Sequence, residues 1–211
     1  MNINCKFKDP TRNSRGVFAA TYGNFQYIPL TGDEIFLIFS KFALMEQKQL
    51  KVLFVCLGNI CRSPAAEGVM RAMVRENGRE GDFLIDSAGT ISCHAGELPD
   101  RRMRVHARER GLTLDHISRP VDAEDFGYFD IIVGMDASNL SRLRQMAPSV
   151  EAARKIHAMA EYFSPGSRYD HVPDPYYEGA EGFELVLDLL EDGCRNLYKA
   201  LTAQQPADTQ F

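Results

Sequence analysis

Residues 52–64 read Val52-Leu53-Phe54-Val55-Cys56-Leu57-Gly58-Asn59-Ile60-Cys61-Arg62-Ser63-Pro64, and this stretch decides the fold. The first six are apolar without a break, have strand length and end at Gly58-Asn59. Such a run predicts a strand covered on both faces, as in a parallel sheet. Ser63-Pro64 is a helix start with proline in the first turn. Ala65, Ala66, Val69, Met70, Met73 and Val74 then recur at helical spacing up to a stop at Asn77-Gly78. The stretch is therefore strand, short loop, helix.

The same alternation continues outward. Phe83-Leu84-Ile85 predicts a second strand, and Arg101 to Arg110 a charged helix closed by Gly111. Asp130 to Met135 predicts a third strand. Asp136 to Gln145 predicts a helix with Asp136 as its N-cap, and Leu140 and Leu143 turned inward. Lys155 to Met159 is a weak fourth strand. A long closing helix follows from Phe183 to Leu201, with Val186, Leu187, Leu190 and Leu197 on its apolar side. Strands alternating with helices define an α/β class: a three-layer sandwich with a central, mainly parallel four-stranded sheet and helices on both faces.

Composition limits the function classes. With 45% apolar and 25% charged residues in 211, the chain is neither wholly disordered nor fibrous. A net charge of −5 lacks the basic footprint of a nucleic-acid binder. The longest nearly uncharged apolar stretch, Ile35 to Met45, is too short for a membrane span and contains Lys41. Five scattered cysteines, at 5, 56, 61, 93 and 194, argue against a disulfide framework and for a reducing, cytoplasmic setting.

Residues 1–44 differ from the rest. Their net charge is +2, against −7 for the remaining 167 residues. Acidic residues precede the apolar stretch where a secretory signal would be basic. Met45 and the polar run after it resemble a protein start. The expected organisation is an N-terminal extension over 1–44, poorly ordered or from a mis-assigned start, and one folded domain over 45–211.

The chemistry lies in the loop after the first strand. A loop between a parallel strand and a helix N-terminus presents backbone N–H groups and a favourable dipole to an anion. Here it begins with Cys56 and reaches Arg62, whose guanidinium can fork two oxygens of a tetrahedral oxyanion. The thiolate of a cysteine beneath a bound phosphate is a nucleophile aimed at phosphorus.

Cys56 to Pro64, CLGNICRSP, resembles the phosphate loop of the low-molecular-weight protein tyrosine phosphatases, bacterial type. Asp86-Ser87-Ala88-Gly89-Thr90, Gly134-Met135-Asp136 with Ser138-Asn139-Leu140, and Asp174-Pro175-Tyr176-Tyr177 follow in that family's order. The likeness covers roughly residues 49–201. It implies that Cys56 is the nucleophile, forming a cysteinyl-phosphate. Arg62 and the N–H groups of Leu57, Gly58, Asn59, Ile60, Cys61 and Arg62 would hold the phosphate. Ser63 would hydrogen-bond the thiolate, and Asp174 would protonate the leaving group. Asn59, Ser87 and His116 would brace the loop. Leu57, Ile60, Cys93, Tyr176 and Tyr177 would line the substrate pocket. No metal or cofactor is implied. The expected substrate is a phosphotyrosine protein, with a bacterial tyrosine kinase of polysaccharide export as one such partner and no nucleic acid or membrane. A monomer or weak dimer is expected.

The resemblance also implies a reversible Cys56–Cys61 disulfide under oxidation. One departure stands out: Cys93 occupies the place where the family commonly has an aromatic residue. Arsenate reduction coupled to thioredoxin is an alternative, but it needs a close pair of extra cysteines, and Cys93 has no such neighbour. Arginine-phosphatase relatives carry Thr at the position of Ile60, which here suits a phenyl ring. A catalytically silent phosphotyrosine-binding module is the other alternative. His94, His106, His157 and His171 are expected as surface or packing residues.

Overall fold

The computed structural model describes residues 49–203; the extension over 1–44 lies outside them. Strand β1, Leu50–Cys56, pairs in parallel with β2, Phe83–Gly89, on one side and with β3, Ile131–Gly134, on the other. Strand β4, Ile156–Ala158, pairs in parallel with β3. The order is β2-β1-β3-β4, and every pairing is parallel. Val52 sits between Ile85 and Ile131, so the apolar run of β1 forms the centre of the sheet.

Alternation along β1 feeds two cores. Val52, Phe54 and Cys56 face a cluster built with α1, Arg62–Glu76, α2, Arg101–Glu109, and the closing helix α6, Ala180–Ala203. Leu53 and Val55 face a second cluster with α3, Asp125–Tyr128, α4, Ala137–Met146, and α5, Val150–Ala153. Helices thus cover both faces, and β1 is fully buried from Val52 to Val55.

Two features depart from the expected elements. β2 runs on through Asp86, Ser87, Ala88 and Gly89, because Asp86 and Ser87 spend their polarity on side-chain partners rather than on solvent. The four-residue helices α3 and α5 are too short to leave a periodic signal.

The connection after β1 leads toward β2, while β3 lies on the other side. The C-terminal end of β1 is therefore where strand order reverses, the place at which open α/β sheets form a crevice.

Candidate active site

Residues 57–61 fill that crevice between β1 and α1. Asn59 takes a left-handed conformation, φ 57°, which asparagine tolerates better than most residues. Donors from outside occupy the loop's carbonyls. Thr90 N reaches Cys56 O at 2.9 Å, Ile91 N reaches Leu57 O at 3.1 Å, and Asp100 N reaches Ile60 O at 2.7 Å. Ser118 Oγ reaches Gly58 O at 3.0 Å. In a trans peptide the N–H points opposite the carbonyl. Carbonyls tied outward therefore turn the N–H groups of Leu57, Gly58, Asn59 and Cys61 toward the crevice. Gly89 makes room for this path, because a Cβ there would lie 2.9 Å from Leu57 O and 3.1 Å from Asn59 N.

Cys56 ends β1 with its thiol at the base of the loop. Its Sγ lies 3.1 Å from Ser63 Oγ. Ser63 Oγ is also 3.2 Å from Ala88 O. It has one proton for two acceptors, so it bonds Ala88 O while the thiol donates and turns to sulfur when the thiol ionises.

Asn59 is the hub behind the loop. Its Nδ2 donates to Ser63 Oγ at 3.0 Å and to Ser87 Oγ at 2.9 Å. Its Oδ1 accepts from Arg119 N at 2.9 Å and from His116 Nε2 at 3.0 Å. An amide oxygen only accepts, so Nε2 of His116 carries hydrogen. His116 Nδ1 lies 3.2 Å from Glu67 Oε2, which accepts from Ser87 Oγ at 2.6 Å. Burial pushes the Glu67 carboxyl up to about 7, against the Ser87 hydrogen bond and Arg71. Burial likewise lowers His116. Both shifts favour a neutral pair with one proton between Nδ1 and the carboxyl. Glu67 carries no signal in the sequence beyond its place on α1.

Arg62, only 3% exposed, crosses the other side of the crevice. Its Nη1 bonds Asp136 Oδ2 at 2.5 Å and its Nη2 bonds Asp174 Oδ2 at 2.6 Å. Burial opposes the Arg62 charge, but Cys56, Asp174 and Asp136 outweigh it and raise its affinity for its proton. Asp136 also caps α4 through Asn139 N. Burial works against its ionisation, yet bonds from Ser138, Asn139 and Arg62 hold it below the usual carboxylate range. Arg62 Nε is buried and has no hydrogen-bond partner among the described residues. A buried donor without a partner beside inward N–H groups suits an anionic guest.

The crevice opens into a cavity of about 310 Å³. Its lining includes Cys56, Arg62 and Asp174, together with Leu57, Ile60, Cys93, Tyr176 and Tyr177. Two lining residues escaped the sequence reading. Ile91 is one; His94, expected as a surface or packing residue, is the other. A Cβ on Gly58 would lie 3.0 Å from His94 Cδ2, so the ring covers the loop. His106 stacks on Phe183, and His157 and His171 meet Glu161 and Asp170 away from this cavity. Cys61 is buried in the loop, and burial followed by Asp100 pushes its thiol up. Glu67, Asp86 and His116 each bring a ligand atom within 4.8 Å of the others. Their existing bonds to Ser87, Arg119 and Asn59 account for the cluster without a metal.

This arrangement can hold a tetrahedral anion above a thiol, with a carboxyl beside it. Residues 51–207 match the family model for low molecular weight phosphotyrosine protein phosphatases. The low molecular weight protein-tyrosine-phosphatase YfkJ of Bacillus subtilis is 38% identical over 74% of this chain and 98% of its own length. A crystal structure of a protein tyrosine phosphatase from Entamoeba histolytica is 44% identical with TM-score 0.71, covering 74% of this chain and 98% of that one. That of a Drosophila arginine phosphatase is 32% identical with TM-score 0.68, covering 74% and 100%. The chain belongs to the low molecular weight phosphotyrosine protein phosphatase family and is a protein-tyrosine-phosphatase.

Proposed function

We propose that the reaction runs in two steps through a cysteinyl-phosphate on Cys56. The observation that carries this is the convergence of Cys56, Arg62 and Asp174 on one cavity floored by inward N–H groups. The phosphoryl group rests on those groups and on Arg62, which stabilise the charge of the transition state. An entering phosphate competes with Asp174 for the Arg62 edge and so frees Asp174 toward the ester oxygen. The Cys56 thiolate bonds to phosphorus as the ester P–O bond breaks, and Asp174 gives its proton to the departing phenolate. Water then attacks phosphorus, Asp174 takes a proton from it, and the sulfur leaves with Ser63 bonded to it. Asn59, Ser87 and His116 hold the loop in shape. The chemistry needs no metal, because nucleophile, cation and acid all come from side chains.

Phosphotyrosine proteins are the substrates the family implies. Ile60, an apolar loop residue lining the cavity, favours an aryl ester over phosphoarginine. A tyrosine autokinase of polysaccharide export is the proposed partner, acting in the cytoplasm. No helix among the described residues is long and apolar enough to cross a membrane. The test is phosphate release from phosphotyrosine and phosphoarginine peptides in EDTA, with Cys56→Ser alongside. The expected result is release from phosphotyrosine that Cys56→Ser abolishes while phosphate still binds. Preference for phosphoarginine, or turnover that survives the substitution, overturns the reading.

A further inference from the structure

Three rings line the cavity among the described residues: His94, which covers the loop, and Tyr176 and Tyr177 on the turn after Asp174. Position 93 is a cysteine, and Tyr177 is 94% exposed, so Tyr176 is the ring placed to face a bound aryl group. Tyr176 sits on the short turn Pro175–Tyr177, whose own hydrogen bond to the acid residue is Tyr176 N to Asp174 Oδ1 at 3.2 Å. Something must hold such a turn still.

Arg102 does so from the start of α2. Its guanidinium carbon lies 5.3 Å from the Tyr176 ring centroid and 4.9 Å from that of Phe183. Phe183 is buried in the core, stacked at 3° on His106. Arg102 thus bridges a fixed core ring to the tyrosine ring that faces the cavity. Its own orientation is set by Asp100, which takes Nε at 3.1 Å and Nη2 at 2.8 Å. Asp100 is in turn the residue whose N–H ties Ile60 O of the phosphate loop. One guanidinium therefore registers the turn, the loop and the core against each other. A lysine has neither the planar face nor the fork for this.

We propose that Arg102 is the positioning residue for the aryl slot: it holds Tyr176 against the substrate ring and so selects aryl over alkyl phosphate esters. The proposal rests on the aryl-phosphatase reading of the site. Arg102 lies outside the phosphate cradle, so it acts on recognition of the ring more than on the chemical step.

The experiment measures kcat and KM of the full chain for a phosphotyrosine peptide and for an alkyl phosphate, together with competitive inhibition by inorganic phosphate. Variants are Arg102→Met, Arg102→Lys, Tyr176→Leu and Arg102→Met/Tyr176→Leu. Wild-type turnover of the peptide tests the underlying reading by itself. Given that turnover, Arg102→Met should raise KM for the peptide about fivefold to tenfold. The phosphate inhibition constant and KM for the alkyl ester should stay within about twofold. Arg102→Lys should recover less than half of the loss. In the Tyr176→Leu background Arg102→Met should have no further effect. A parallel rise in the phosphate inhibition constant would assign Arg102 to loop integrity instead. An unchanged peptide KM, or an undiminished effect without Tyr176, overturns the proposal directly.

Discussion

At the scale of single residues, the site is a contest for protons and charges at a few atoms. Asp174 has two partners: Arg62 Nη2 at 2.6 Å and the proposed ester oxygen. If it is the proton donor, Asp174→Ala should slow turnover about 100-fold for phosphotyrosine, and far less for an ester whose leaving group needs no proton. A leaving-group series of kcat values checks this, and an equal loss across the series removes Asp174 from the role. Ser63 Oγ, 3.1 Å from the sulfur, has the complementary part. Ser63→Ala should slow departure of the thiolate, lower kcat about tenfold and let the phosphoenzyme accumulate. Rapid quenching should then show a larger steady-state fraction of phosphoenzyme than in the wild type.

At the scale of elements, the phosphate loop stands on a network carried by α1 and β2. Glu67 on α1 joins Ser87 and His116 behind Asn59. Its native value of about 7 lies above the ordinary 4.5. Between those pH values the folded protein keeps a proton that the unfolded chain has lost. This contribution to stability is full below about 4.5 and is lost as pH rises through 7. Glu67→Gln stays neutral at every pH and has no such slope. Relative to that variant, the wild type should lose on the order of 3 kcal/mol between pH 4.5 and 8, read from urea titrations at each pH. The closing helix is a simpler case. Leu190 is fully buried in the core cluster that α6 shares with α1, so Leu190→Ala should cost about 2–5 kcal/mol, seen as a lower urea midpoint with an unchanged slope.

At the scale of the whole molecule, the family match spans residues 51–207 and holds every proposed site residue. We therefore expect the 45–211 chain to fold alone, with kcat/KM for phosphotyrosine within about twofold of the full chain. A loss beyond tenfold assigns residues 1–44 a part in activity. Much of this molecule was legible beforehand because its signals are local. The unbroken run from Val52 to Leu57 announced a strand covered on two faces. Ser63-Pro64 announced the helix start, and Cys56 and Arg62, at either end of the loop, pointed to an anion site. Asp86 and Ser87 misled, because polar residues late in a strand look like a loop until their partners are known.

The sequence by itself determined the α/β class, the order of elements and which residue types stand in the loop after β1, since these depend on neighbours along the chain. Only the tertiary structure decided which distant groups meet that loop. Glu67 and His116 stand 49 positions apart, yet meet behind Asn59 with 3.2 Å between Oε2 and Nδ1. Asp136 and Asp174 grip one guanidinium from either side. His94 reaches the cavity, and Arg102 reaches the Tyr176 ring behind it, from a segment with no apolar period pointing there. A side chain's type is written in the chain. Its hydrogen-bond partner and burial, which set its charge and its use, come into being only when the sheet brings those segments to the end of β1.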